Sequence, residues 1–254
     1  MKYVQIGLIV FVMLWANAVA CAQCQKVEEE SRDYLRQIDR QILDVMHNLT
    51  KSRTPGFKQR IHEEEGYPDP NGEGNPDLLR IDIRQGAIVK TGRPLDIAVQ
   101  GEGFFQFIDG RTNETVYTRC GSLEVGPNGN LCLVKGNVVR LLDPAIVIPE
   151  EAKLIDIRED GQVWTAVDSR SEWQNVGQIQ LSTFIAPTRL KAFDDRFFFQ
   201  TDFSGPPTEG DPGLNGYGVL KPKSLERSNV DTEESLRELK RLKTIRQAFE
   251  EILE

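Results

Sequence analysis

The chain is poor in the residues that most often carry chemistry. It has 4 cysteines and 2 histidines in 254 residues. Cys21 and Cys24 form a C-x-x-C spacing, but no βαβ pattern surrounds it, so a thioredoxin-like role is not expected. A zinc site would need further ligands nearby, and neither His47 nor His62 has ligand spacing with a cysteine. Catalytic Ser-His-Asp sets, phosphate-cradling glycine loops and helix-borne His pairs are all missing. Gly101-Glu-Gly103 runs into Phe-Phe-Gln and does not complete a dinucleotide fingerprint. Positive charge is outnumbered, with 31 Lys and Arg against 39 Asp and Glu. A net charge of −8 leaves no broad basic surface for nucleic acid and no attraction to anionic lipid. These absences argue against an enzyme, a cofactor, a metal and a small-molecule substrate. Asp194-Asp195 and the Asp156–Asp160 cluster could bind a cation, but exposed turn carboxylates are the commoner reading. Trp164 and Trp173 could form a sugar platform, but strand tryptophans more often serve a core or a subunit contact.

The one long apolar run, Val4 to Leu14, is too short for a comfortable membrane span. Lys2 before it and Ala18-Val19-Ala20 after it read as a secretory signal peptide over 1–22, with an uncleaved anchor as the alternative. Cys21 directly after Ala20 also fits a lipoprotein site, although Ala18 stands where that motif prefers Leu. Only that lipidation would bring the chain to a membrane. Export would place Cys120 and Cys132, which flank a hairpin pattern, in an oxidising compartment. A disulfide between them and two buried free thiols are equal alternatives.

The rest divides by periodicity. Within 23–62, Leu35, Ile38, Ile42, Val45 and Leu49 recur at steps of three and four, opposite Arg32, Asp33, Arg36, Asp39 and Arg40. This is an amphipathic helix, and Thr54-Pro55-Gly56 stops it. The stretch 63–80 is rich in Glu, Gly, Pro and Asn and reads as a linker. From 81 to 222 short alternating runs follow one another, with hairpin turns at Asp109-Gly110, Asn128-Gly129 and Asp160-Gly161. Only Pro187–Phe193 hints at a helical turn, and the Gly- and Pro-dense stretch from Ser204 to Gly218 reads as loop. Over 223–254 a second helix presents Leu236, Leu239, Leu242, Ile245, Phe249 and Ile252 on one face. The expected fold is mainly β: a central all-β domain of many short strands bracketed by N- and C-terminal amphipathic helices. Each helix has an apolar stripe that needs cover. Packing the stripes together leaves a remainder for other subunits; packing both on the β-domain would instead give a monomer.

Several motifs resemble one family. Pro94-Leu-Asp-Ile-Ala-Val-Gln-Gly-Glu-Gly-Phe-Phe-Gln-Phe107 is similar to the start of the central domain in flagellar rod and hook proteins. Tyr117-Thr-Arg-Cys-Gly-Ser-Leu123, Glu209-Gly-Asp-Pro-Gly-Leu-Asn-Gly216 and Ser228-Asn-Val230 follow in the family's order. Asn48, Leu49, Thr54, Gly56, Phe57 and Lys58 match its N-terminal turn, and Arg246, Ala248, Phe249 and Glu250 its final helix. The chain resembles the distal-rod members most, from about Ile42 to Phe249.

The resemblance implies a structural subunit of the bacterial flagellar basal-body rod, in the periplasm, transmitting torque from motor to hook. It implies helical polymerisation through the terminal helices, with the β-domain outside the tube. Its partners would be copies of itself, other rod and hook subunits, and ring proteins. The implied assembly interface is Leu35, Ile38, Ile42, Val45, Leu49, Gly56, Phe57, Asn229, Leu236, Leu239, Ile245 and Phe249. Relatives carry no secretory signal and have a longer final helix. The alternative is therefore a secreted or lipidated envelope protein that reuses the rod fold.

Overall fold

The computed structural model describes residues 2–62 and 79–253, with side chains described for 26, 28–61 and 80–251. Lys2–Lys51 is one continuous helix, α1. The signal-peptide reading, Cys21 included, falls on the part of α1 whose side chains lie outside the described set. The linker reading at 63–78 lies outside the described residues altogether.

Short strands follow. They are β1 (Arg60–His62), β2 (Leu79–Ile81), β3 (Ile88–Lys90), β4 (Ile97–Gln100), β5 (Phe105–Asp109) and β6 (Thr115–Thr118). Then come β7 (Glu124–Val125), β8 (Leu131–Lys135), β9 (Val138–Leu142), β10 (Leu154–Ile157), β11 (Gln162–Ala166) and β12 (Gln174–Gln178). The last are β13 (Leu181–Thr183), β14 (Lys191–Phe193), β15 (Phe197–Phe199), β16 (Thr208–Gly210), β17 (Val219–Pro222) and β18 (Ser224–Glu226). Helix α2 (Thr232–Leu253) ends the described chain, and Glu233 and Glu234 in its first turn complement its dipole. The molecule is mainly β with a helix at each end, as expected.

The largest sheet runs β14-β15-β6-β5-β9-β8-β7, all antiparallel. Strict alternation along β9 explains its place: Arg140 and Leu142 face in while Val139 and Leu141 face out. Phe105, Phe107, Val116, Leu131, Leu133, Leu142 and Phe197 close on Ile97, Val99 and Leu220 of the β4–β17 ribbon to form the main core. A smaller core joins Ile81, Phe104, Tyr117, Leu190 and Phe198. The three hairpin turns fall where expected, between β5 and β6, β7 and β8, and β10 and β11.

Several details differ from expectation. The alternating run Ile146–Ile148 reads in sequence as a strand but forms only an isolated bridge, Asn130 to Val147, because Pro144 and Pro149 have no N–H to extend a ladder. The stretch Ser204–Gly218 is not all loop, since β16 pairs with β13. The turn near Pro187–Phe193 is a 3-10 turn, Pro187–Arg189, and leads into the β14–β15 hairpin. Residues 223–231 are not helix: β18 pairs with β3, and α2 starts only at Thr232. Of the two cysteine alternatives, the structure holds the free pair. Cys120 Sγ accepts a hydrogen bond from Arg196 at 3.2 Å, and Cys132 Sγ donates to the Glu124 carbonyl at 3.5 Å. Burial pushes both thiols above their ordinary pKa.

By compactness the chain divides into Met1–Met46 with Glu233–Glu254, and His47–Thr232. The β unit therefore starts well before 81 and ends after 222, for reasons that lie in its polar contacts.

Candidate functional site

In the helical unit, α1 and α2 run antiparallel. The Tyr34 and Phe249 rings lie 4.7 Å apart, and Arg246 Nε donates to Asp39 Oδ1 at 2.7 Å, so rising numbers on one helix meet falling numbers on the other. Ile38 and Leu242 are buried. Leu35, Ile42, Val45, Leu239, Ile245 and Phe249 are half-buried. Their neighbours are less covered: Tyr34, although stacked on Phe249, is 43% exposed, and Leu43, Met46 and Leu236 are 65%, 45% and 45% exposed. Two helices meeting along one line shield only part of a wide apolar stripe, and the flanks of both stripes remain open.

The second element of the site is a joint inside the β unit, where the segments next to the two helices meet. Asn48, near the end of α1, is 1% exposed. Its Nδ2 donates to the Arg60 carbonyl at 2.8 Å and its Oδ1 accepts from Arg60 N–H at 3.0 Å, so one side chain replaces a pair of ladder bonds. Between them the chain turns at Thr54–Lys58. Gly56 has φ +70°, and a Cβ there would lie 2.4 Å from Cys120 N, so any other residue meets both strain and a clash. Phe57 is buried under the His47 ring, 5.7 Å between centroids.

Lys58 follows, and its charge is buried. Lys58 Nζ donates to Glu226 Oε1 at 2.7 Å and to the Arg84 carbonyl at 2.6 Å. Glu226 Oε2 accepts from Arg119 Nε at 2.8 Å, and Oε1 also accepts from Gly86 N–H at 2.9 Å. Arg119 spends three more donors on the carbonyls of Val99, Gly101 and Gly103. The Lys58, Glu226 and Arg119 side chains are 1%, 0% and 3% exposed. Ions this dry are tolerated only because nearly every donor and lone pair is used. Burial lowers the Lys58 pKa, with Glu226 opposing it. Asn229 completes the joint: its Oδ1 accepts from Gln59 N–H at 2.8 Å, and its Nδ2 donates to the Asp82 carbonyl at 2.8 Å and the Arg84 carbonyl at 3.1 Å.

A second tie holds the end of α1. Lys51 Nζ lies 3.0 Å from Asp195 Oδ2, in the β14–β15 turn, and Lys135 Nζ donates to the same oxygen at 2.7 Å. The Asp194-Asp195 pair is thus engaged by lysines rather than presented to a cation. Burial pushes the Asp195 carboxyl up, but the hydrogen bonds and charges of Lys135 and Lys51 outweigh it and leave it at about 2. Asp82, Asp109 and Asp194 are also lowered, in each case against the upward push of burial, by neighbouring N–H groups and cations. An unfolded Asp titrates near ~3.9, so a depressed carboxylate stabilises the fold fully above about pH 4 and loses that contribution as pH falls through the folded value. For Asp195 this is on the order of 2 kcal/mol. Urea midpoints of the full chain should therefore fall steeply between about pH 4 and pH 2, and Lys135→Met should make that fall shallower. An unchanged slope would show that this cluster does not govern acid stability.

The remaining sequence candidates also find places. The Trp164 face is covered by the Arg158 guanidinium at 4.2 Å, and its Nε1 donates to Gln162 Oε1 at 2.9 Å, so it offers no open sugar platform. Gly56 and Phe57 were expected on an assembly interface and are instead interior, because the joint closes over them. Asn229 likewise spends its amide inside the subunit. Nothing in the sequence singles out Glu226: an acidic residue in a three-residue strand has no signal that marks it as buried. Lys58 and Arg119 stood within motifs but without an assigned role.

The family model for the flagellar hook protein FlgE/F/G D1 domain matches residues 98–165. The flagellar basal-body rod protein FlgG of Caulobacter vibrioides is 36% identical over 230 residues, covering 81% of this chain and 84% of that protein. FlgG of Borreliella burgdorferi is 36% identical over 217 residues, covering 76% and 80%. FlgG of Agrobacterium fabrum is 36% identical over 167 residues, covering 65% of this chain and 61% of its own length. On the evidence of these matches, and of the helical and β units they span, the chain belongs to the flagellar basal-body rod protein family.

Proposed function

We propose that this protein is a structural subunit of the bacterial flagellar basal-body rod. It polymerises through its terminal helices and passes torque from motor to hook, in contact with further copies, other rod and hook subunits, and ring proteins. The observation that supports this reading is the exposure of apolar side chains beside the paired faces of both helices, Leu43 and Met46 on α1 and Leu236 on α2. Large apolar side chains left exposed beside a paired helix face mark an interaction surface. The reading asks for no cofactor, metal, nucleic acid or small-molecule substrate. It places the exported chain in the periplasmic part of the basal body. The test is composition: hook–basal bodies purified from cells carrying a tagged chain should contain it in many copies, and cells lacking it should make no complete rod. Its absence from purified basal bodies of motile cells would end the proposal.

A further inference from the structure

The arm that follows α1, residues 54–60, meets Asn48, Asp82 and Arg84 near it in the chain and takes three further polar partners from the far end. Gly56 N–H donates to the Glu226 carbonyl at 2.8 Å, Lys58 Nζ to Glu226 Oε1 at 2.7 Å and Gln59 N–H to Asn229 Oδ1 at 2.8 Å. These contacts span 168 and 170 residues where side chains are involved. The Glu226 socket is built differently. Its partners besides Lys58 are Arg119 Nε and Gly86 N–H, which belong to the β unit and do not involve the arm. Arg119 is in turn held by the Val99, Gly101 and Gly103 carbonyls.

The two docking events are therefore unequal. With Glu226 absent, an incoming Lys58 would enter a dry site beside Arg119, whose charge repels it. With Glu226 seated, each carboxylate oxygen neutralises one cation. Strand β18 can seat without the arm, but the arm cannot bury Lys58 without β18.

We infer that the joint closes in a fixed order: the C-terminal strand β18 seats Glu226 on Arg119 first, and only then does the N-terminal arm dock. The arm is held open until the C-terminal part of the chain is in place. This is a conformational device within one subunit, and it holds whether or not the rod reading does.

The order predicts an asymmetry that hydrogen exchange on the full chain can read. In Glu226→Gln, amide protection over 56–61 should fall about a hundredfold, the scale of a broken buried ion pair, while β5, β8 and β9 stay within about threefold. In Lys58→Met, protection over 224–226 should stay within about threefold of the native chain, because Arg119 still neutralises Glu226. Unchanged arm protection in Glu226→Gln overturns the inference. So does loosening of β18 in Lys58→Met to the same degree, which would mean mutual docking without order. Equal loss in β5, β8 and β9 would make the triad part of the core and not a latch. If Glu226→Gln does not fold, Asn229→Ala removes the acceptor of Gln59 N–H and the donor to the Asp82 and Arg84 carbonyls while leaving the contacts of Glu226 in place. It should loosen the arm about tenfold with β5, β8 and β9 unchanged, and an unloosened arm there also overturns the inference.

Discussion

Leu43→Asp should leave the subunit folded and stop it from assembling. Leu43 is 65% exposed, so a carboxylate there stays in water in the free chain and should shift stability by no more than about 0.5 kcal/mol. In a polymer seam the same carboxylate would lose its water with no partner, at a cost of several kcal/mol per contact, or roughly a hundredfold or more in affinity. Helical assembly repeats that contact at every subunit, so cells should lose motility while soluble variant accumulates with native circular dichroism. Leu239→Asp makes a useful contrast. Leu239 is half-buried, so its charge should weaken the α1–α2 pair as well as assembly. A motile Leu43→Asp strain with normal basal bodies would show that the open flank of α1 is not the assembly seam.

Asp109→Ala should give the largest loss of fold stability among single charge substitutions, about 3–5 kcal/mol. Asp109 and Arg140 are both 0% exposed, with Asp109 Oδ2 2.7 Å from Arg140 Nε. The guanidinium lies over the Phe197 ring at 4.0 Å, and its next carboxylate, Asp194 Oδ2, is 3.6 Å away. Removing Asp109 strands that cation in the middle of the largest sheet. It also frees Arg111 N–H, which donates to Asp109 Oδ1 at 2.8 Å in the turn after β5. Combining it with Arg140→Met should restore most of the loss, since a dry ion pair exchanged for apolar volume is often near neutral. Urea unfolding of the full-length native chain, both single variants and the double variant closes the cycle. A double variant as unstable as Asp109→Ala alone would place the cost in the turn and not in the ion pair.

Much of the architecture was legible because it is local. The steps of three and four from Leu35 to Leu49 and from Leu236 to Phe249 are set by the helical period, and Ile38 and Leu242 are indeed the buried centres of those faces. The alternation at Thr115–Thr118, Val138–Leu142 and Leu154–Ile157 predicted strands with the observed ends, and the Asp-Gly and Asn-Gly pairs predicted their turns. Strands of three residues, such as β14, β15 and β18, are too short to show a period, so nothing in the sequence separates β18 from the helix that follows it.

The joint was not legible, because no local rule pairs residues 107 and 168 apart. Lys58, Arg119 and Glu226 are ordinary surface residues in sequence, and nothing in their spacing says that burial brings them together. Sequence alone determined that two amphipathic helices bracket a β-rich centre, since hydrophobic period acts within a few residues. Only the tertiary structure decided that Gly56, Phe57 and Asn229 serve the interior of the subunit while Leu43 and Leu236 stay open. Side-chain periodicity sets which face of an element is apolar; which surface covers that face depends on contacts between segments far apart in the chain.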